Sequence, residues 1–178
     1  LAGYAWQIVP IPSGYTNSPN LPMAENSPIR SFVRRDSRIT RAQREALVRN
    51  WDAYALPPCA GADDLAIAFG ARGPCLLEIG SGDGGCIIEL AQRRVGETFV
   101  AVEVYRPGLG RLLNLANAAK LTNVRVSNQD ICDLLVSFCD AVFDQVLIFF
   151  PDPWPKKRHH KRRLLQENFF NLLAPRVH

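Results

Sequence analysis

The sequence predicts an α/β fold, a doubly wound and mostly parallel sheet, from three observations. Short apolar runs of strand length recur from Cys75 onward, helical segments separate them, and a glycine-rich turn follows the first run. Strands that are continuously apolar belong to a sheet covered on both faces. Right-handed crossovers then bring the strands' C-terminal ends to one edge, where such folds bind ligands.

The elements follow in order. Residues 1–28 hold five of the thirteen prolines among Ser, Asn and Gly, and read as a disordered leader. Residues 29–70 form an N-terminal basic helical segment, in which the capping-box spacing of Thr40 and Gln43 predicts a helix from about Arg41 to Trp51. Pro57, Pro58 and Gly61 break it, and Asp63 is expected to cap a short helix through Phe69. Residues 71–178 carry the α/β domain. Its strands are expected at Cys75 to Ile79, Thr98 to Val104, Asn123 to Ser127 and Phe143 to Phe150. Helices are expected at Ile87 to Arg94, at Pro107 to Lys120 with proline in the first turn, and from about Arg162 to Leu173 before Pro175. No internal repeat is visible.

Composition bounds the class. With 178 residues, 47% of them hydrophobic and 21% charged, the chain is about one domain long and is not wholly disordered. No apolar run approaches the ~18–20 residues of a membrane helix, and the chain opens on Leu1 without a basic-then-apolar signal segment. The five cysteines are odd in number and form no CxxC pair, and no glycosylation sequon occurs. They read as small buried thiols in a reducing cytoplasm, and no metal site is expected.

The net charge of +4 is unevenly spread. Lys156, Lys157, Arg158, Lys161, Arg162 and Arg163 place six positive charges within eight residues, with His159 and His160 between them. Without those six, 15 Lys and Arg face 17 acids. A second cluster is all arginine: Arg30, Arg34, Arg35, Arg38, Arg41, Arg44 and Arg49. Either cluster alone reads equally well as a solvated face. Two of them on an otherwise slightly acidic chain point to a polyanion, and nucleic acid fits better than membrane because neither has an apolar anchor.

The ligand edge is rich in acids. Glu78 precedes the turn that contains Gly80, Gly82 and Gly84, where a dinucleotide phosphate would not want a carboxylate. Glu103 ends the second strand, placed to accept both hydroxyls of a ribose, and Asp130 follows the third, where it could face an adenine amino group. Three acids at three successive strand ends suit a cationic, phosphate-free nucleoside, which describes S-adenosylmethionine; NAD(P) is the alternative. Each acid alone could equally be a helix cap or a solvated loop carboxylate. After the fourth strand, Pro151, Pro153 and Pro155 fix a stiff, extended loop holding Asp152 and Trp154, and the basic run follows at once. Trp154 offers a stacking face and the run offers phosphate contacts.

In these motifs the sequence resembles the bacterial tRNA (guanine-N7)-methyltransferases, which modify guanine 46 of the variable loop. The resemblance runs from about Ile29 to Leu173. It takes in Ile29 to Arg35 with Arg38 to Thr40, Leu77 to Gly84, Val102 to Gly108, Asp130 and, most specifically, Phe149 to Arg163. It implies a Rossmann-like S-adenosylmethionine-dependent fold with cofactor contacts at Glu78, Gly80, Gly82, Gly84, Glu103, Asp130 and Asp152. Asp152 would be the catalytic acid, Lys156 a substrate contact, and Arg158, His159, His160, Lys161, Arg162 and Arg163 the RNA-facing stretch. A cytoplasmic tRNA-binding protein is implied, with monomer and homodimer both open.

The family continues past the helix near Leu173 with a further strand, a Thr-Asp substrate motif and a hairpin. This chain ends at His178 without them, so residues 71–178 are expected to form an incomplete, C-terminally truncated methyltransferase domain whose fourth strand is an exposed apolar edge. Two functions follow: methyl transfer to tRNA, or RNA binding without turnover.

Overall fold

The computed structural model of the chain describes residues 39–178. The expected leader and Arg30, Arg34, Arg35 and Arg38 lie outside the described residues.

Helix α1 (Arg41–Arg49) begins as its sequence requires. The Thr40 hydroxyl accepts from the Gln43 N–H at 3.2 Å, and the Gln43 side chain accepts from the Thr40 N–H at 2.8 Å. A single turn, α2 (Trp51–Tyr54), follows. Helix α3 (Ala62–Phe69) is capped differently from expectation. Gly61 is its N-cap, and Asp63 lies in the first turn, paired with Arg72, where a carboxylate complements the helix dipole. Asp64 is the residue that reaches back, accepting from the Ala60 N–H at 2.6 Å.

Four parallel strands form one sheet in the order β3-β2-β1-β4: β1 (Cys75–Ile79), β2 (Thr98–Val102), β3 (Val124–Ser127) and β4 (Gln145–Ile148). Helices α4 (Gly85–Arg93), α5 (Arg106–Ala118), α6 (Ile131–Val136) and α7 (Glu167–Leu173) complete it. The register aligns Ile79 with Val102 and Ile148, and Val102 with Ser127, so all four strands end along one edge.

Side chains alternate between two cores, as a two-residue period dictates. Leu77, Ile79, Val100, Val102 and Val146 face α3, α6 and α7. Leu76, Phe99, Ala101, Val124 and Val126 face α1, α4 and α5. Each of the Val, Leu, Ile and Phe side chains among them contributes about 1.5–3 kcal/mol when fully buried. The same period turns Glu78 toward the α4 face, among apolar residues.

Three strand and helix expectations are corrected. The second strand stops at Val102, and Glu103 turns its carboxylate onto the Gly82 N–H of the loop after β1 and the Tyr105 N–H of the following loop. The fourth begins after Asp144, whose carboxylate accepts from the Cys75 N–H at 2.7 Å, and ends before Phe150, which has φ +48°. The last helix starts at Glu167 rather than near Arg162, and a 3₁₀-helix over Lys157–Arg162 takes up the basic run. A continuous α-helix would stack Lys157 on Lys161 and Arg158 on Arg162, like charges at i,i+4 that repel.

Strand β4 closes the sheet on one side. Beside its start, Val177 bridges Phe143 in parallel, and the His178 N–H donates to the Phe143 carbonyl at 3.2 Å. Among the described residues nothing pairs with the outer edge of Gln145–Ile148, yet its faces are covered: Val146 is buried and Leu147 and Ile148 are half-buried. No described helix is long and apolar enough to cross a membrane.

Candidate active site

The loop after β1 is shaped by its glycines. Gly80, Gly82 and Gly84 take φ of +75°, +55° and +82°, a region that L side chains rarely adopt. Gly108, in the first turn of α5, lets the loop approach closely, since a Cβ there would lie 2.5 Å from the Gly82 carbonyl oxygen. Arg111 of α5 adds an ion pair to Asp83 at 3.2 Å. The loop is therefore held against α5 with its backbone turned toward the strand ends.

Glu103 ties this loop to the next strand. Its Oε2 accepts from the Gly82 N–H at 2.6 Å and its Oε1 from the Tyr105 N–H at 2.7 Å. The Val104 N–H also acts on this carboxylate, which with about four lone-pair sites keeps room for a further donor. Glu103 is 8% exposed, and burial pushes its pKa up against the lowering effect of those backbone N–H groups.

Glu78 is more deeply placed, at 3% exposure, and its Oε2 is the one buried side-chain polar atom without a hydrogen bond among the described residues. Burial raises its pKa, the Cys86 thiol and the Ser81 hydroxyl pull it down, and the Glu103 charge adds to the rise. Burial followed by the Glu78 charge pushes the Cys86 thiol up to about 11. Two buried carboxylates facing one glycine loop make a site that favours a cation and disfavours phosphate. The geometry thus fits a positively charged nucleoside better than a dinucleotide.

The structure brings Glu78, Gly80, Gly82, Gly84 and Glu103 together. Asp130 stands beyond β3 as the N-cap of α6, its Oδ1 accepting from the Cys132 N–H at 2.8 Å. That cap was the only sign of α6 in the sequence, because six residues are too few to show a helical period. Asp152 is exposed and lies beyond β4, across the sheet from Asp130. Ser81, Cys86 and Arg111 were not singled out from sequence, since their roles depend on how α4 and α5 dock.

The loop around Asp152 is not simply extended, as expected, but bent. Phe150 and Trp154, each preceding a proline, have φ of +48° and +38°, and Phe150 is 98% exposed. Clash with the proline ring disfavours a helical residue before it, and at these two positions the chain turns left-handed instead. Lys156, Lys157, Arg158 and Lys161 are exposed on or beside the 3₁₀-helix, while His159, His160 and Arg162 are half-buried. The Trp154 ring carries the His159 imidazole at its edge, 5.5 Å between centroids, and the Arg162 guanidinium over its face at 5.0 Å. Desolvation and the charges of Arg158, Arg162 and Lys156 hold His159 below its ordinary pKa. The cysteines are free; Cys59 and Cys75 are buried as expected, but Cys86 and Cys132 are half-buried and Cys139 is exposed.

The family model described as "Putative methyltransferase" matches residues 72–178. A tRNA (guanine-N(7)-)-methyltransferase of Nitrosococcus oceani is 44% identical over 151 residues, covering 84% of this chain and 64% of that protein. The one from Neisseria gonorrhoeae is 43% identical over 162 residues, covering 90% and 68%. Among solved structures, a putative methyltransferase from Thermoplasma acidophilum aligns over 61% of this chain and 46% of its own, at 26% identity and a TM-score of 0.40. The chain thus spans about two thirds of the length of the curated relatives it matches. With identity above 40% across nine tenths of its residues, the chain belongs to the tRNA (guanine-N7)-methyltransferase family.

Proposed function

We propose that this chain takes part in methyl transfer from S-adenosylmethionine to N7 of guanine 46 in the variable loop of tRNA. The observation that carries this reading is the buried pair Glu78 and Glu103 on one positive-φ glycine loop, beside a strand-end loop that joins an exposed acid to a cationic 3₁₀-helix. Glu103 would accept from a ribose hydroxyl at its remaining lone-pair site, Gly80 to Gly84 would lie against the nucleoside, and Asp130 would meet the adenine edge. Glu78 would give its unpartnered oxygen to a cationic or N–H group.

S-adenosylmethionine supplies an electrophilic methyl group, and its sulfur keeps the bonding electron pair as the methyl leaves. Guanine N7 has an in-plane lone pair and no proton, so no general base is needed. The chain's task is to align N7 with the methyl at near-attack distance and to exclude water. As the N–C bond forms, the purine gains positive charge. Asp152 would stabilise that charge and orient the edge of the base. Lys156, Lys157, Arg158 and Lys161 would hold phosphates and fix the register of the RNA.

Two predictions follow from these assignments. Glu103→Ala is expected to weaken S-adenosylhomocysteine binding by about 1–3 kcal/mol, the scale of hydrogen bonds to a charged group. Calorimetric titration with unchanged affinity removes Glu103 from the site. Changing Lys157, Arg158 and Lys161 to Ala is expected to weaken tRNA binding and to flatten the log–log salt dependence by about 0.7–0.9 per lost phosphate contact. A slope that stays at the parent value makes the run a solvated face.

The direct experiment is transfer of labelled methyl groups to unmodified tRNA by the 178-residue chain and by a C-terminally extended form. Label in N7-methylguanosine supports the reading. Tight tRNA binding by both forms, with no label from either, supports RNA binding without turnover.

A further inference from the structure

The basic run is not uniform in what it touches. Arg163 is exposed, as Lys157, Arg158 and Lys161 are, but its side chain turns back onto the loop that holds Asp152. Arg163 donates from Nε to the Pro153 carbonyl at 3.0 Å and from Nη2 to the Trp154 carbonyl at 3.4 Å. Its own N–H donates to the His160 carbonyl at 3.0 Å, closing the 3₁₀-helix beneath it. Those carbonyls belong to the two residues after Asp152, and Trp154 is one of the left-handed positions. A non-glycine residue in that region is strained and persists only where its surroundings over-determine it. Here a planar fork holds the carbonyls of the two peptide units that flank Trp154, while Arg162 and His159 pack on its ring.

We propose that Arg163 is a positioning residue that fixes the Asp152 loop, and is set apart in role from the phosphate-binding cations beside it. This rests on the preceding reading only for what the loop does; the clamp itself is a matter of loop shape. Arg163 is itself exposed, yet its planar guanidinium directs two of its five N–H donors at these carbonyls in one fixed geometry, which a freely rotating ammonium does not match. The loop is thereby set before RNA arrives. The charge of Arg163 still adds to the field over the run, but its loss removes no phosphate contact.

The test uses the full chain with Trp6→Phe and Trp51→Phe, so that emission comes from Trp154 alone. Three quantities are read in Arg163→Ala and Arg163→Lys: acrylamide quenching of Trp154, the salt slope of tRNA binding, and single-turnover methyl transfer at saturating tRNA. For Arg163→Ala the expected results are increased quenching, a salt slope equal to the parent's, and transfer slowed about 10–100-fold, the scale of a small misplacement near the reacting centre. Arg163→Lys should fall between parent and Ala in quenching and rate, with the parent's slope. A slope lowered by about 0.7–0.9, as for Arg158→Ala, with unchanged quenching makes Arg163 a phosphate contact and overturns the proposal. Parent values in all three overturn it as well. If no form of the chain transfers methyl groups, the functional reading fails, while quenching and slope still decide the clamp.

Discussion

Replacing Asp152 by asparagine is expected to slow methyl transfer by about 10²–10³-fold, the scale seen when one preorganised electrostatic group is removed from a reacting centre. Pro151 and Pro153 fix the backbone on both sides, and among the described residues the Asp152 side chain makes no hydrogen bond that the loop depends on. The amide therefore keeps the loop's shape and removes only the charge. Folding stability and tRNA affinity are expected to stay near the parent values. Single-turnover transfer isolates the chemical step from product release. A rate near the parent's would reduce Asp152 to a turn residue, and a loss of tRNA affinity in proportion to rate would make it a binding group.

Glu78→Leu is expected to act in the opposite sense on stability and on binding. The substitution replaces a 3% exposed carboxylate, one oxygen of which is unpartnered, by an apolar side chain of similar size among Leu76, Ile87 and Ala101. Removing a buried unsatisfied group is worth about 1–3 kcal/mol, so thermal unfolding at pH 8 should move upward while cofactor binding is lost. The pH dependence has a fixed sign. Burial raises the folded-state pKa of Glu78 above its unfolded value, so the parent's stability from this group is complete below the unfolded pKa and declines as pH rises through the folded one. The gap between variant and parent should be widest at pH 8 and narrow toward pH 4. A variant less stable than the parent at pH 8 would show that the carboxylate anchors the loop, and that its isolation is not a cost held for the ligand.

Most of the fold was legible because strands β1, β2 and β4 carry apolar residues on both faces and β3 alternates Val124 and Val126 with Arg125 and Ser127, patterns that have few alternatives. Their ends were less legible. Asp144 leaves the strand to bind the Cys75 N–H, and Glu103 leaves it to bind the Gly82 N–H; both are long-range events that no local pattern announces. In the site, Glu78, Glu103 and the glycines were marked by their place around a strand-to-helix turn. The orphaned oxygen of Glu78 was not, since it follows from how α4 covers β1. The run from Lys156 to Arg163 looked like one charged surface in sequence. That Arg163, exposed like its neighbours, is hydrogen-bonded back to the loop appears only when the 3₁₀-helix is folded over Pro153 and Trp154.

The reaction proposed for this chain is methyl transfer to N7 of one guanine. It is tested most directly with tRNA carrying 7-deazaguanosine at position 46, in which a carbon replaces the nucleophilic nitrogen and the remaining base edge is unchanged. The C-terminally extended form should bind this tRNA as tightly as the ordinary transcript and transfer no labelled methyl group to it, while labelling the ordinary transcript as N7-methylguanosine. Equal labelling of both transcripts would contradict the claim, because the methyl group would then be going to another atom or another nucleotide.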